Sequence, residues 1–448
     1  VGSAKYAFFW GCTIPARLPF MEKSTRLVMD ALEVKYTDLA GFTCCPEKSL
    51  FETYNERQWL LTAARNLAVA EQAGLDIVAA CNGCYGTLKS VANRLDLEPA
   101  TKEWVNRSLA AIGMEYKGLV RVRHLVELLH DEVGPAGIRA RVEKPLSGMR
   151  IAVHPGCHMV RPSSAIHFDD PLHPVKFDAL VEALGAESVS YHTKMMCCGG
   201  ALSNVGELED SMALTRKKLL ELQRVGVDAM TLFCPACFMQ FDQKQYMAQR
   251  QGEHLHIPVF TYPELVGLAL GLSPAELGLG NHRVDTAPFF KTWEEKLTHF
   301  MEVRRHLDLA SVRRCYECGA CVADCPVAEI VDQFNPNELI GRLLDGKIEE
   351  LLKSKAIWYC VECHTCYELC PQKFGMEKVF TALKHLAMEQ GLMPPPVKGG
   401  LDMFFKTGRL GAPDERNRKK LGLEPLPPGG GEELARLLAG LREARDEE

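Results

Sequence analysis

The stretch LDIVAACNGC, residues 75–84, and its counterpart VDAMTLFCPAC, residues 227–237, decide how this chain is read. Each is a short apolar run that ends in C-x2-C. Such a run reads as a buried strand, and the C-x2-C as the loop and helix start that follow it. A long amphipathic stretch precedes each one, NERQWLLTAARNLAVAEQAG (55–74) and ELEDSMALTRKKLLELQRVG (207–226), and a glycine stops both. A further helix is expected after each pair, at YGTLKSVANRL and FMQFDQKQYMAQRQ. A cysteine at a helix start gains from the helix dipole, which favours the thiolate that metals need.

Working outward, KYAFFWG (5–11) and RIAVHPG (150–156) are strand-like runs that each deliver a cysteine from a C-terminal end, where open α/β sheets place their sites. The first ten cysteines then form one formula written twice. Cys12, Cys44, Cys45, Cys81 and Cys84 give C-x31-C-C-x35-C-x2-C; Cys157, Cys197, Cys198, Cys234 and Cys237 give C-x39-C-C-x35-C-x2-C. Only the first gap differs, so this is an internal repeat. The longer gap falls at RPSSAIHFDDPLHP, a polar loop that reads as a surface insertion or a cleft wall.

The last eight cysteines are two runs of C-x2-C-x2-C-x3-C-P: Cys315, Cys318, Cys321 and Cys325 before Pro326, and Cys360, Cys363, Cys366 and Cys370 before Pro371. This is the bacterial ferredoxin signature for cubane [4Fe–4S] clusters, in which the fourth cysteine crosses to the other cluster. One cubane is therefore expected on Cys315, Cys318, Cys321 and Cys370, and the other on Cys360, Cys363, Cys366 and Cys325. Zinc prefers two spaced pairs and suits these triplets poorly.

Composition narrows the rest. The 448 residues carry 18 cysteines, a formal charge of −6, 47% apolar and 25% charged side chains. That cysteine count in a large chain without a secretory leader points to metal rather than disulfides, and to a cytoplasmic setting. No apolar run reaches the ~18 residues of a membrane span, and no dense basic run suggests nucleic acid. No G-x-G-x-x-G follows an expected strand, so no flavin is expected in this chain.

The spacing C-x31–39-C-C-x35–36-C-x2-C is the CCG-domain motif. Two copies in tandem resemble the B subunit of heterodisulfide reductase, above all over HPGCHMVRPSSAIHFDDPLHPVKFDALVEALGAESVSYHTKMMCCGG (154–200). From about residue 290 the chain resembles the C subunit of the same enzyme, so the whole looks like a natural B–C fusion with only its tail unmatched. One departure is the first repeat's CCP, where Pro46 replaces the motif glycine.

The resemblance implies an α/β fold: a first CCG domain at 1–146, a second at 147–280, a mainly α-helical ferredoxin-like domain at 281–405, and a tail at 406–448. Residues 141–149 and 272–289 read as joints. The tail reads as a Pro/Gly hinge and a helix with Leu434, Leu437, Leu438 and Leu441 on one stripe, docking onto this chain or a partner. The cofactors implied are two noncubane [4Fe–4S] clusters, one on each five-cysteine set, beside the two cubanes.

By the same resemblance a small disulfide is reduced to two thiols between the noncubane clusters; in methanogens it is the mixed disulfide of coenzymes M and B. The implied partners are a flavin-containing A-type subunit, a hydrogenase or formate dehydrogenase as electron source, and a second copy of the complex. An iron–sulfur relay subunit of a lactate- or glycolate-type dehydrogenase is the alternative, and a zinc-bearing adaptor a third reading. His154, His158, Arg161 and Lys194 flank second-repeat cysteines, and suit either a substrate contact or a hydrogen bond behind the ligands.

Overall fold

A computed structural model of the chain describes residues 5–319, 322–370, 373–426 and 430–443. Cys321, Pro371 and residues 427–429 of the expected hinge lie outside the described residues, as does the side chain of Leu441.

Two parallel sheets of four strands have the same strand order, β2–β1–β3–β4 and β6–β5–β7–β8. In the first, β1 (Tyr6–Phe9) and β3 (Asp76–Ala79) are central, with β2 (Tyr36–Asp38) and β4 (Val122–His124) at the edges. In the second, β5 (Arg150–Val153) and β7 (Ala229–Leu232) are central, between β6 (Glu187–Ser188) and β8 (Val259–Thr261). The central strands are the apolar runs of the sequence, and β1 and β7 are buried along their whole length. Helices cover both faces of such sheets, which is why these strands lack polar alternation.

The stretches expected to be helical are helices, Glu56–Gln72 and Leu208–Val225. Asn55 caps the first by accepting the Gln58 N–H, and Gly226, in the left-handed region, ends the second. Trp59, Leu60, Ala63, Ala64 and Leu67 form the buried stripe of Glu56–Gln72. The edge strands escape sequence reading because two or three residues carry no period. The stretch after the second C-x2-C is also more broken than its pattern suggests: Pro235–Phe238, a π-helical turn at Met239–Lys244, then Gln245–Arg250.

The two repeats share one hydrophobic core. Phe20 packs on Phe238 and on the His282 ring, each with centroids 5.3 Å apart. Asn82 Nδ2 donates to the Pro155 carbonyl at 2.7 Å, tying the helix after Cys81 in one repeat to the loop before Cys157 in the other. The expected joints are packed segments. Leu146 and Met149 are buried, and Glu143 N and Lys144 N both donate to the Ala269 carbonyl. Leu277, Leu279 and Val284 are buried in the other joint.

Residues 1–300 with 344–347 make one compact unit and 301–343 with 348–448 another, the division falling inside the helix Ala287–His306. The second unit is helical, with Leu309–Cys318, Pro336–Leu344, Ile348–Lys353 and Glu377–Glu389 as its main elements. Phe334, Ile340, Leu351, Val379 and Phe380 are in its core. Gly346, at φ +72°, breaks the run FNPNELIGRLLDGKIEELLKSKAIWYC into separate helices. In the tail, the helix Gly431–Glu443 packs on Pro395–Thr407 of the same chain.

Candidate functional site

Each C-x2-C leaves the C-terminal end of a central strand. Cys81 follows β3 and stands at the N-cap of the helix Asn82–Leu97; Cys234 follows β7 and caps the helix that begins at Pro235. Loops after β1 and β5 bring Cys12 and Cys157, and the paired cysteines come from the segments after β2 and β6. Because both sheets have one topology, both sets of five gather at the same edge of their sheet.

The ten thiols form one unbroken line. Each interacts with the next in the order Cys12, Cys44, Cys45, Cys84, Cys81, Cys234, Cys237, Cys198, Cys197, Cys157. The Cys44–Cys12 Sγ separation is 3.7 Å. The line reads the same from either end: position by position, the first repeat's cysteine corresponds to the second's at an equivalent place, and Cys81 interacts with Cys234 in the middle. None of the ten is in a disulfide.

Protons distribute unevenly along the line. Cys45 is pulled down to about 4, first by the Cys44 and Cys84 thiols that donate to it. Cys197 is pulled down by Cys157 and Cys198 and by the Gly199 N–H, which donates to its sulfur at 3.4 Å. Their neighbours shift the other way: Cys198 is pushed up to about 12 by Cys197, and Cys44, Cys84 and Cys157 rise for the same reason. Ten crowded thiols with backbone N–H donors suit an extended cationic centre that takes every one as thiolate, as iron–sulfur ligation does.

Between the repeats lies a cavity of about 350 Å³. Lys48, Thr87 and Ser90 line it from the first repeat, and Cys157, His158 and Arg161 from the second. The RPSSAIHFDDPLHP loop is thus a cleft wall at its start, anchored by buried Ala165, Ile166 and Phe168. Of the four flanking residues singled out in the sequence, His158 and Arg161 reach the cavity. Lys194 instead pairs with Asp178 at 2.5 Å.

His154 is fully buried behind the second set, where a ring nitrogen and the Sγ atoms of Cys198 and Cys237 lie within 4.8 Å of one another. Its Nδ1 is 3.1 Å from Nζ of Lys218. Lys218 escapes the sequence reading. It stands with Ser211, Thr215 and Leu222 on the buried stripe of Leu208–Val225. A lysine at a core position of an amphipathic helix is the signal that could have found it.

In the helical unit, Cys325, Cys360, Cys363 and Cys366 line one small cavity with Phe334, Met376, Glu377 and Phe380. Positive φ at Glu362 and His364 wraps the loop around it. The buried Glu377 carboxylate accepts from Cys366 Sγ at 3.1 Å. Cys315 and Cys318 are on the helix Leu309–Cys318, and Cys370 follows the short helix Thr365–Leu369.

Tandem α/β repeats with clustered cysteines, followed by a two-run ferredoxin region, define an iron–sulfur protein. The cysteine-rich CCG domain family matches residues 6–89 and 151–242, and the 4Fe-4S dicluster domain family matches 311–374. The chain is 41% identical over 288 residues to the B subunit of the ferredoxin/F420H2-dependent CoB–CoM heterodisulfide reductase of Methanosarcina acetivorans, covering 64% of this chain and 96% of that one. It is 31% identical to the 8-methylmenaquinol:fumarate reductase membrane anchor protein of Wolinella succinogenes, covering 63% and 97%. Its C-terminal part is similar to the iron–sulfur C subunit of the CoB–CoM heterodisulfide reductase of Methanopyrus kandleri, 31% identical over 30% of this chain and 71% of that one. The chain belongs to the heterodisulfide reductase family of oxidoreductases, with B- and C-type parts in one polypeptide. No helix among the described residues is long and apolar enough to cross a membrane.

Proposed function

We propose that this chain reduces a small disulfide to two thiols in the cavity between its repeats. The observation that carries this reading is the ten-thiol line meeting a cavity walled by both repeats, with Cys157 common to both. Each five-cysteine set would hold one noncubane [4Fe–4S] cluster: Cys12, Cys44, Cys45, Cys81 and Cys84 the first, Cys157, Cys197, Cys198, Cys234 and Cys237 the second. Two neighbouring one-electron centres supply the two electrons that a disulfide takes up, with two protons, as it becomes two thiols. The protein's own residues position the substrate: Lys48, His158 and Arg161 offer cationic or hydrogen-bonding groups to a charged tail.

Cys325, Cys360, Cys363 and Cys366 around one cavity support the crossed cubane set. The other set is then Cys315, Cys318, Cys321 and Cys370, and the two cubanes relay electrons from a flavin-containing partner protein. The four-part division at residues 146, 280 and 405, a cytoplasmic location and a dimeric complex belong to the same proposal. An EPR titration of the oxidised holoprotein with coenzyme M, coenzyme B and other thiols tests it: a thiol-dependent cluster signal is expected, and its absence with every thiol sinks the disulfide reading. The second reading, a relay protein for another oxidoreductase, draws on the fumarate reductase relative, and predicts reducible clusters that ignore thiols.

A further inference from the structure

The two five-cysteine sites share ligands and topology, yet their surroundings differ at two equivalent positions. Three residues before the first cysteine, the first repeat has Phe9 and the second His154. Phe9 is buried against Phe42. Sixteen residues before the C-x2-C, the first repeat has Arg65 and the second Lys218. Arg65 turns outward and donates to the Gly41 carbonyl, while Lys218 is sealed in the core.

Lys218 is 0% exposed and donates to the Lys194 carbonyl at 3.0 Å. Its Nζ also lies over the Tyr191 and Phe241 rings, 5.5 and 5.9 Å from their centroids. No carboxylate among the described residues is within ion-pair distance of it. A cation held in this way is costly to bury unless negative charge sits nearby. Burial lowers the Lys218 pKa to about 8, and the negative charge of Cys237, Cys198, Cys197 and Glu221 opposes that shift.

The sense of the contact with His154 follows from the charge on Lys218. An ammonium has no acceptor, so Nδ1 of the imidazole accepts and the ring proton is on Nε2. That Nε2 is buried and has no protein partner. One nitrogen of this ring lies within 4.8 Å of the Cys198 and Cys237 Sγ atoms.

We propose that Lys218 and His154 make the second site the more easily reduced of the two, so that the paired centres are unequal. A buried positive charge and an imidazole polarised by it beside the sulfurs both stabilise the more negative, reduced state of an iron–sulfur group. At the two equivalent positions the first site has Phe9 and Arg65, whose guanidinium donates to the Gly41 carbonyl. This rests on the ligand sets proposed above.

The test is an EPR-monitored redox titration of the anaerobic holoprotein and of Lys218→Met and His154→Phe, with signals assigned by Cys44→Ser and Cys197→Ser. Each of the two variants should lower the reduction equilibrium constant of the second site at least tenfold, about 59 mV for one electron. The first site and the cubanes should hold their potentials at unchanged iron content, and His154→Gln, which keeps an N–H donor, should restore most of the shift. An unmoved second-site potential, or equal shifts at both sites, overturns the inference. A second site that binds no iron overturns the ligand assignment with it. Clusters that shift as stated but ignore every thiol leave this inference standing and remove the disulfide reading.

Discussion

Cys81 and Cys234, each following the central strand of a different repeat, lie close enough to shift each other's protonation in opposite directions. Their interaction joins the two five-cysteine sets into one line and puts the equivalent halves back to back. No sequence spacing states this, because the two residues are separated by a whole repeat.

Cysteine-to-serine substitution should separate the sites. Cys197→Ser should cost about four of the roughly sixteen irons of four four-iron clusters and leave both ferredoxin cubanes visible by EPR. Anaerobic iron and acid-labile sulfide analysis checks the count. Loss of the cubane signals would show that the units are not independent.

Gly199 follows the paired cysteines at φ +93°, and a Cβ there would sit 2.6 Å from the Ser211 carbonyl oxygen. Gly199→Ala should therefore cost about 1–3 kcal/mol of strain and displace the N–H that donates to Cys197. The thermal unfolding temperature should fall and second-site iron should be lost first. The first repeat has Pro46 after its cysteine pair, so its iron should be retained.

A buried pair makes stability pH-dependent. Burial alone would lower the His282 imidazole, but the Glu264 carboxylate, 3.0 Å away, outweighs it and holds the pKa above the usual range. The folded value exceeds the unfolded one, so the stabilisation is complete below the ordinary imidazole pKa and is lost as pH rises through the folded value. Urea midpoints should fall over that window. His282→Gln should flatten this dependence, and an unchanged slope would exclude the pair as its source.

Arg161 and Lys48 face the cavity from opposite repeats. Replacing either with Gln should raise the KM for a disulfide with an anionic tail by roughly tenfold, the effect of about 1.4 kcal/mol, with a smaller change in kcat. The loss should shrink at high salt. Lys194→Gln should do little to KM, because that side chain is engaged by Asp178.

The cysteine formula, the central strands and the two long helices were legible because each follows a local rule: apolar runs, a helical period, a glycine stop. The edge strands at Tyr36–Asp38 and Glu187–Ser188 were not, since pairing with a neighbour defines so short a segment. The π-helical turn at Met239–Lys244 was also hidden, because its apolar pattern passes for α-helix. Among the flanking residues, His158 and Arg161 could not be told from Lys194 until Asp178 was seen beside it.

By itself the sequence determined the number of cysteines, their grouping into five, five and eight, and the α/β repeat that presents the first ten, because strand ends and helix starts are set by near neighbours in the chain. Only the tertiary structure decided that Cys81 and Cys234 act on each other, that the cavity has walls from both repeats, and that Lys218 stands behind one site and not the other. Those relations depend on how two sheets of the same topology pack together. Packing is a property of surfaces brought close by the whole fold, and residue spacing carries no record of it.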